Sequence, residues 1–165
     1  STTFSEPDGT FHSENLVSNE LRFQSIVPEL VRNATTGRAY VGVGSEQNFT
    51  YIAAVRPSIA FIVDIRRGNL DLQLMYKALF ETSANRVDFA FRLFGRKRPE
   101  KIADNVGVVQ LMSTVGGTAL DTTYARGILG DLKRHLTDQH HFPLSKQEDE
   151  SSRSGKFYFS VSRGF

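Results

Sequence analysis

The chain has no cysteine. That absence excludes disulfides, thiolate metal ligands and a cysteine nucleophile, and it leaves the redox compartment open. No stretch approaches the roughly 18 consecutive apolar residues that a membrane-spanning helix requires. A net charge of +2 over 165 residues is too small to argue for nucleic acid from totals alone. There is no G-x-S-x-G elbow and no phosphate-binding loop of the G-x-x-x-x-G-K-[ST] type, so serine-hydrolase and phosphate-loop chemistry have no motif support. No internal repeat is visible. What is present, 39% hydrophobic and 23% charged residues, fits a soluble globular protein of one domain, or part of a larger one. A cytoplasmic location is the expectation, with an exported form equally compatible with the missing cysteine. The chain opens at Ser1 with neither Met nor a basic-then-apolar leader, which fits a removed leader or a trimmed chain.

The stretch that organises the rest is Ala39 to Arg67, AYVGVGSEQNFTYIAAVRPSIAFIVDIRR. Tyr40, Val41 and Val43 form a short apolar run interrupted by Gly42 and closed by Gly44. Ser45 and Asn48 suit a helix start. Phe49, Ile52, Ala53 and Val55 share one helical face, and Pro57 must end that helix. Ile59 to Val63 is continuously apolar, as in a parallel strand covered on both faces. Asp64 follows, twenty residues after Gly44. Strand, glycine turn, helix, strand and acid together place backbone N–H groups and a helix N-terminus beside a carboxylate. This suits a nucleoside-bearing ligand, with the carboxylate accepting from ribose hydroxyls. In G-V-G-S-E-Q the third glycine of the dinucleotide fingerprint is replaced by Gln47, which argues against a pyrophosphate-containing cofactor. Gly42, Gly44, Asn48 and Asp64 are therefore candidate cofactor-binding residues, and the alternative is an ordinary strand–helix–strand unit with a surface acid.

Around this unit, residues 1–15 read as a polar arm. Ser18-Asn19-Glu20-Leu21 reads as a helix start, and Pro28 must kink or restart that helix. Leu70 to Thr82 follows helical spacing. Ser83-Ala84-Asn85 breaks it or caps the next helix, a short buried one around Val87 to Phe94. Ile102 to Met112 fits either helix or strand, Gly116-Gly117 reads as a break, and Thr122 to Asp138 as a helix. Gln147 to Gly155 is a polar linker, and Lys156 to Val161 alternates as a terminal strand. Only two strands are clear, with two more conceivable. Either short strands hide in the ambiguous regions or the chain holds the first half of a larger domain. The expected organisation is one domain over 1–165, with a core over 16–145.

Further candidates carry competing readings. Arg66 can pair with Asp64 or with a ligand carboxylate, against a plain solvated strand end. Asn19 can belong to a substrate loop, against a capped helix. Arg92 to Lys101 (RLFGRKRPEK) holds five cations that can meet phosphate, against a solvated surface. His135, His140 and His141 do not share one helical face at their spacing, and no acid is fixed beside them, so no metal is expected.

The run YVGVGSEQNFTYIAAVRPSIAFIVDIRRGNLDLQLMYKALFE, with ENLVSNE upstream and HFPLS downstream, resembles a family of largely uncharacterised bacterial proteins related to class I S-adenosylmethionine-dependent methyltransferases. The resemblance covers most of Asn15 to Ser145. It implies an α/β fold, a Rossmann-like three-layer sandwich that is incomplete if the later strands lie outside this chain. It also implies S-adenosylmethionine as cofactor, with Gly42 and Gly44 under the methionine part and Asp64 on the ribose. Tyr40 and Glu46 stand where such methyltransferases carry an acid and a further glycine. The expected activity is methyl transfer to an unidentified acceptor, with no general base assigned. The alternative is a non-catalytic binding or interaction module. Expected partners are the nucleoside cofactor and, through an open edge strand at Phe157 to Val161, a second copy of the chain. No membrane is expected, and a nucleic-acid-binding domain is a third, weaker reading.

Overall fold

A computed structural model of the chain describes residues 17, 18, 20, 22–64 and 67–142. Two compact units emerge: one reaches to Gln73 and the other covers Leu74–Phe142.

In the first unit the helix start expected at Ser18 to Leu21 comes later: Ser18 and Glu20 are not helical, and the first helical turn begins at Phe23. A 3₁₀ turn at Phe23–Ile26 leads into α1 (Val27–Asn33), and Pro28 sits in the first turn of α1. Proline fits there because the first N–H groups of a helix have no internal acceptor to lose. Strand β1 (Ala39–Val43), helix α2 (Gln47–Val55) and strand β2 (Ile59–Val63) follow. Helix α2 stops before Pro57, with Arg56 in the left-handed region at φ 49°. The two strands are parallel, and Ala39 pairs with Ile59, Val41 with Phe61 and Val43 with Val63. Helix α2 lies against β1, and α1 lies against α2.

The sheet has these two strands and no others among the described residues, and 59% of those residues are helical. The expected Rossmann-like three-layer sandwich is therefore not the fold. Two physical reasons stand behind the correction. First, Ile102 to Met112 supplies no strand. Leu111, within it, and Val115, just beyond it, are four apart, a helical repeat, and both lie buried on α5 (Val108–Gly117). Second, the face of the sheet carrying Val41, Val43, Ile59, Phe61 and Val63 is exposed, from 42% at Phe61 to 74% at Val43. An apolar run is the same string of letters whether protein covers one of its faces or both.

The second unit is helical. It takes up the later turns of α3 (Arg67–Thr82), then α4 (Arg86–Leu93), α5 and α6 (Thr122–Arg134), which passes into a π-helical turn at His135–Gln139. Asn85 caps α4, its side chain accepting from the Val87 and Asp88 N–H groups at 3.0 Å. Asp121 caps α6 in the same way through Tyr124 N–H at 2.9 Å. One core forms around Val87, Ala90, Phe91, Val106, Leu111 and Val115. Leu132 and Leu136 are almost wholly buried along α6 and its extension. Helix α5 runs through Gly116 and Gly117, where the sequence suggested a break; the cap is Thr118. The expected terminal strand at Lys156 to Val161 lies outside the described residues.

Candidate functional site

The carboxyl ends of β1 and β2 meet at Gly44 and Asp64. Gly44 has φ 87°, a conformation that carries no steric cost only in the absence of a Cβ. Its N–H extends the ladder to Val63 O at 3.2 Å, and its carbonyl accepts from Gln73 Nε2 at 3.1 Å. Asn69 Nδ2 donates to Asp64 Oδ2 at 2.7 Å. A Cβ on Gly44 would stand 3.9 Å from that same oxygen, so the turn and the acid adjoin. Asn69 and Gln73 are four apart on α3 and share one face. Both are more than nine-tenths buried, and no donor among the described residues reaches Asn69 Oδ1 or Gln73 Oε1. Leaving a buried acceptor unsatisfied costs about 1–3 kcal/mol. The neighbourhood is therefore rich in acceptors, with one carboxylate and two amide oxygens around a glycine turn.

Gly42 and Asn48 come together one layer beneath. Asn48 is buried; its Oδ1 accepts from Tyr40 Oη at 2.7 Å, and its Nδ2 donates to Val43 O and Ser45 O at 3.1 and 2.8 Å. A Cβ on Gly42 would stand 1.9 Å from Asn48 Oδ1. Gly42 is thus the gap that Asn48 fills, and the polar atoms of Asn48 are committed to shaping the turn. Glu46 and Gln47 hold the chain upstream. Ser18 N–H donates to both Glu46 carboxylate oxygens at 3.0 and 2.9 Å, and Ser18 Oγ donates to Gln47 Oε1 at 2.5 Å. This brings the segment around Ser18 to the N-terminus of α2. Asn19 and Arg66 lie outside the described residues. The sequence places Asn69 beside Gly68 in a loop at the pocket mouth; the structure puts it on α3 instead, and Gln73, one turn further on, belongs to no motif.

Arg96, Lys97 and Arg98 of the Arg92 to Lys101 segment are engaged within the fold. Arg96 donates to the carbonyls of Val115, Gly116 and Thr118, closing the end of α5. Arg98 bonds Ile102 O and Asp104, and Lys97 pairs with Asp121 at 3.1 Å.

A second polar cluster stands in the helical unit. His135 Nε2 and His140 Nε2 lie 2.8 and 2.7 Å from Glu81 Oε2. Lys77, one turn earlier on α3, engages Glu81 Oε1. Burial pushes the Glu81 carboxyl up, but hydrogen bonds from Lys77, His135 and His140 outweigh it and lower the pKa to about 2. On an α-helix, residues five apart point roughly 140° away from each other, which keeps these histidines apart. The π-helical turn at His135–Gln139 closes i to i+5, so His140 comes round to the same side as His135.

No curated protein matches the chain. Residues 15–106, which include Gly44, Asp64, Asn69, Gln73 and Glu81, match the model of a family described as a domain of unknown function, DUF7790, and since that span is more than half of the sequence the chain belongs to this family.

Proposed function

We propose that the protein binds a nucleoside cofactor of the S-adenosylmethionine type at the carboxyl ends of β1 and β2. The observation that carries this reading is the set of acceptors gathered there: Asp64 beside Gly44, with the undonated amide oxygens of Asn69 and Gln73 behind it. Ribose hydroxyls and an exocyclic or α-amino group are the donors such a set calls for. Ligands of parallel strand units bind at this end of the strands, where the chain turns away and leaves room. In this reading Asp64 accepts from the ribose hydroxyls, Gly44 admits the ligand close to the backbone, and Gly42 and Asn48 hold the turn in shape. The cofactor, when bound, supplies an electrophilic methyl group for transfer. The acceptor is unassigned, and the protein's own part is alignment of the two reactants, which by itself accelerates a reaction greatly.

Calorimetric titration with S-adenosylmethionine and S-adenosylhomocysteine tests the reading. Saturable binding of both is expected. Asp64→Ala should weaken it by about 1–3 kcal/mol, the cost of unpairing a buried ligand hydrogen bond. Absence of heat at millimolar ligand overturns the proposal.

A second reading, a non-catalytic module that associates with another copy of the chain, is favoured by a different observation: the exposed apolar face of the sheet. Sedimentation over a range of concentrations tests it, and a monomer throughout rules it out.

A further inference from the structure

The cluster of Glu81, His135 and His140 is not used by the nucleoside reading and belongs wholly to the helical unit. We infer that these three side chains form a binding site for a divalent first-row transition ion, with Glu81 Oε2, His135 Nε2 and His140 Nε2 as ligands. One oxygen and two nitrogens, all within 4.8 Å of one another, converge from two separate chain segments. Two imidazoles and a carboxylate make a donor set suited to zinc, iron, nickel or copper, and not to the oxygen-seeking magnesium or calcium. Bond lengths of about 2.0–2.1 Å put tetrahedral ligands about 3.3 Å apart. The present separations of 2.8 and 2.7 Å lie about half an ångström short of that, so small side-chain rotations admit the ion.

The surroundings fit the same use. Lys77 holds Glu81 Oε1, which turns Oε2 towards the histidines and favours coordination through a single oxygen. Support of a ligand by a neighbour in this way is general at metal centres. The His140 ring stacks on Phe142 with centroids 5.8 Å apart, and Phe142 N–H closes back on Leu136 O at 3.1 Å. The π-helical turn is what makes the pair of histidines convergent, and such turns recur at functional sites. Glu81 and both histidines are partly exposed, so the ion can enter from solvent. Three protein ligands leave a fourth position for water or another donor, the ligand count of an open centre and not of a closed structural one.

Zinc chloride titrated into tag-free, chelator-treated full chain tests the inference. One ion per chain is expected. Glu81→Gln, His135→Ala and His140→Ala should each weaken zinc by at least about tenfold, the loss seen when even a neighbour of a metal ligand is removed. His141→Ala, which alters a histidine outside the cluster, should leave the affinity unchanged. Cobalt(II) gives a readout free of heats of folding: visible absorption of a four-coordinate centre in the wild type, lost in Glu81→Gln. The circular dichroism of Glu81→Gln in chelator establishes that the variant is folded. No stoichiometric binding overturns the inference, and so does zinc affinity that the three ligand variants leave intact.

Discussion

Asn48 occupies a position where one side chain decides the shape of a turn. Its three hydrogen bonds tie Tyr40, Val43 and Ser45 together, and Gly42 leaves the space it needs. Asn48→Ala is expected to cost about 2 kcal/mol in urea unfolding, because buried groups lose their partners. Gly42→Ala should cost about 1–3 kcal/mol by overpacking against the same atoms. The two losses arise from one contact, so the double variant should fall short of their sum. An additive double-mutant cycle would separate the residues. Tyr40 extends the argument to pH. Burial first, and the nearby Tyr51 second, raise its pKa above the ordinary 10.0. A folded-state pKa above the unfolded one means that the folded chain holds the proton more tightly. The stabilisation is therefore complete below pH 10 and is lost as pH rises through the folded value. Melting temperatures should fall above pH 10 in the wild type, and Tyr40→Phe should fall less steeply. At this scale the sequence was legible in part. Gly42, Gly44, Asn48 and Asp64 stand out in the sequence, and the structure sets Gly44 beside Asp64 and Gly42 against Asn48. The division of labour among them depends on which atoms face one another across the turn, and spacing along a chain does not encode that.

At the scale of elements, ends were more legible than interiors. Pro28, Pro57 and Asn85 act locally, through a missing N–H, a fixed φ or a side-chain acceptor, and each stands where its chemistry requires. Asn85→Ala should destabilise the protein by about 1 kcal/mol through loss of the cap on α4, measured by denaturant unfolding. Helix α5 shows where local reading fails. Two glycines in succession reduce helix propensity, yet α5 continues through Gly116 and Gly117 because Arg96 reaches across to the carbonyls at its end. That partner is about twenty residues away in sequence and leaves no local trace. Arg96→Ala should therefore cost about 2 kcal/mol of stability, as expected for losing charged hydrogen bonds to backbone. A thermal shift no larger than that of Lys101→Ala would contradict this. The histidines make the same point in reverse. Their five-residue spacing excludes convergence on an α-helix and permits it on the π-helical turn, where Leu136 is fully buried.

For the whole molecule, the two-strand unit at 39–63 is identical in its local signals to the opening of a larger parallel sheet. What separates the two outcomes is how many further strands pair beside it and what covers the outer face. Among the described residues no further strand pairs, and Val41, Val43, Ile59, Phe61 and Val63 face outwards together. The distinction has a direct consequence for mutagenesis. If the face were the interior of a sandwich, a lysine at Val43 would bury a charge and cost several kcal/mol. On an exposed face the same change loses only strand propensity, about 1 kcal/mol or less. Val43→Lys is therefore expected to fold with near-wild-type stability in urea. It should also bind less of a hydrophobic fluorescent dye, since a charge interrupts the apolar patch at its most exposed residue. A variant that fails to fold would mean that this face is covered in solution, by another part of the chain or by a second copy. Sedimentation of the wild type then tells those two apart, because only the second copy makes the molar mass depend on concentration.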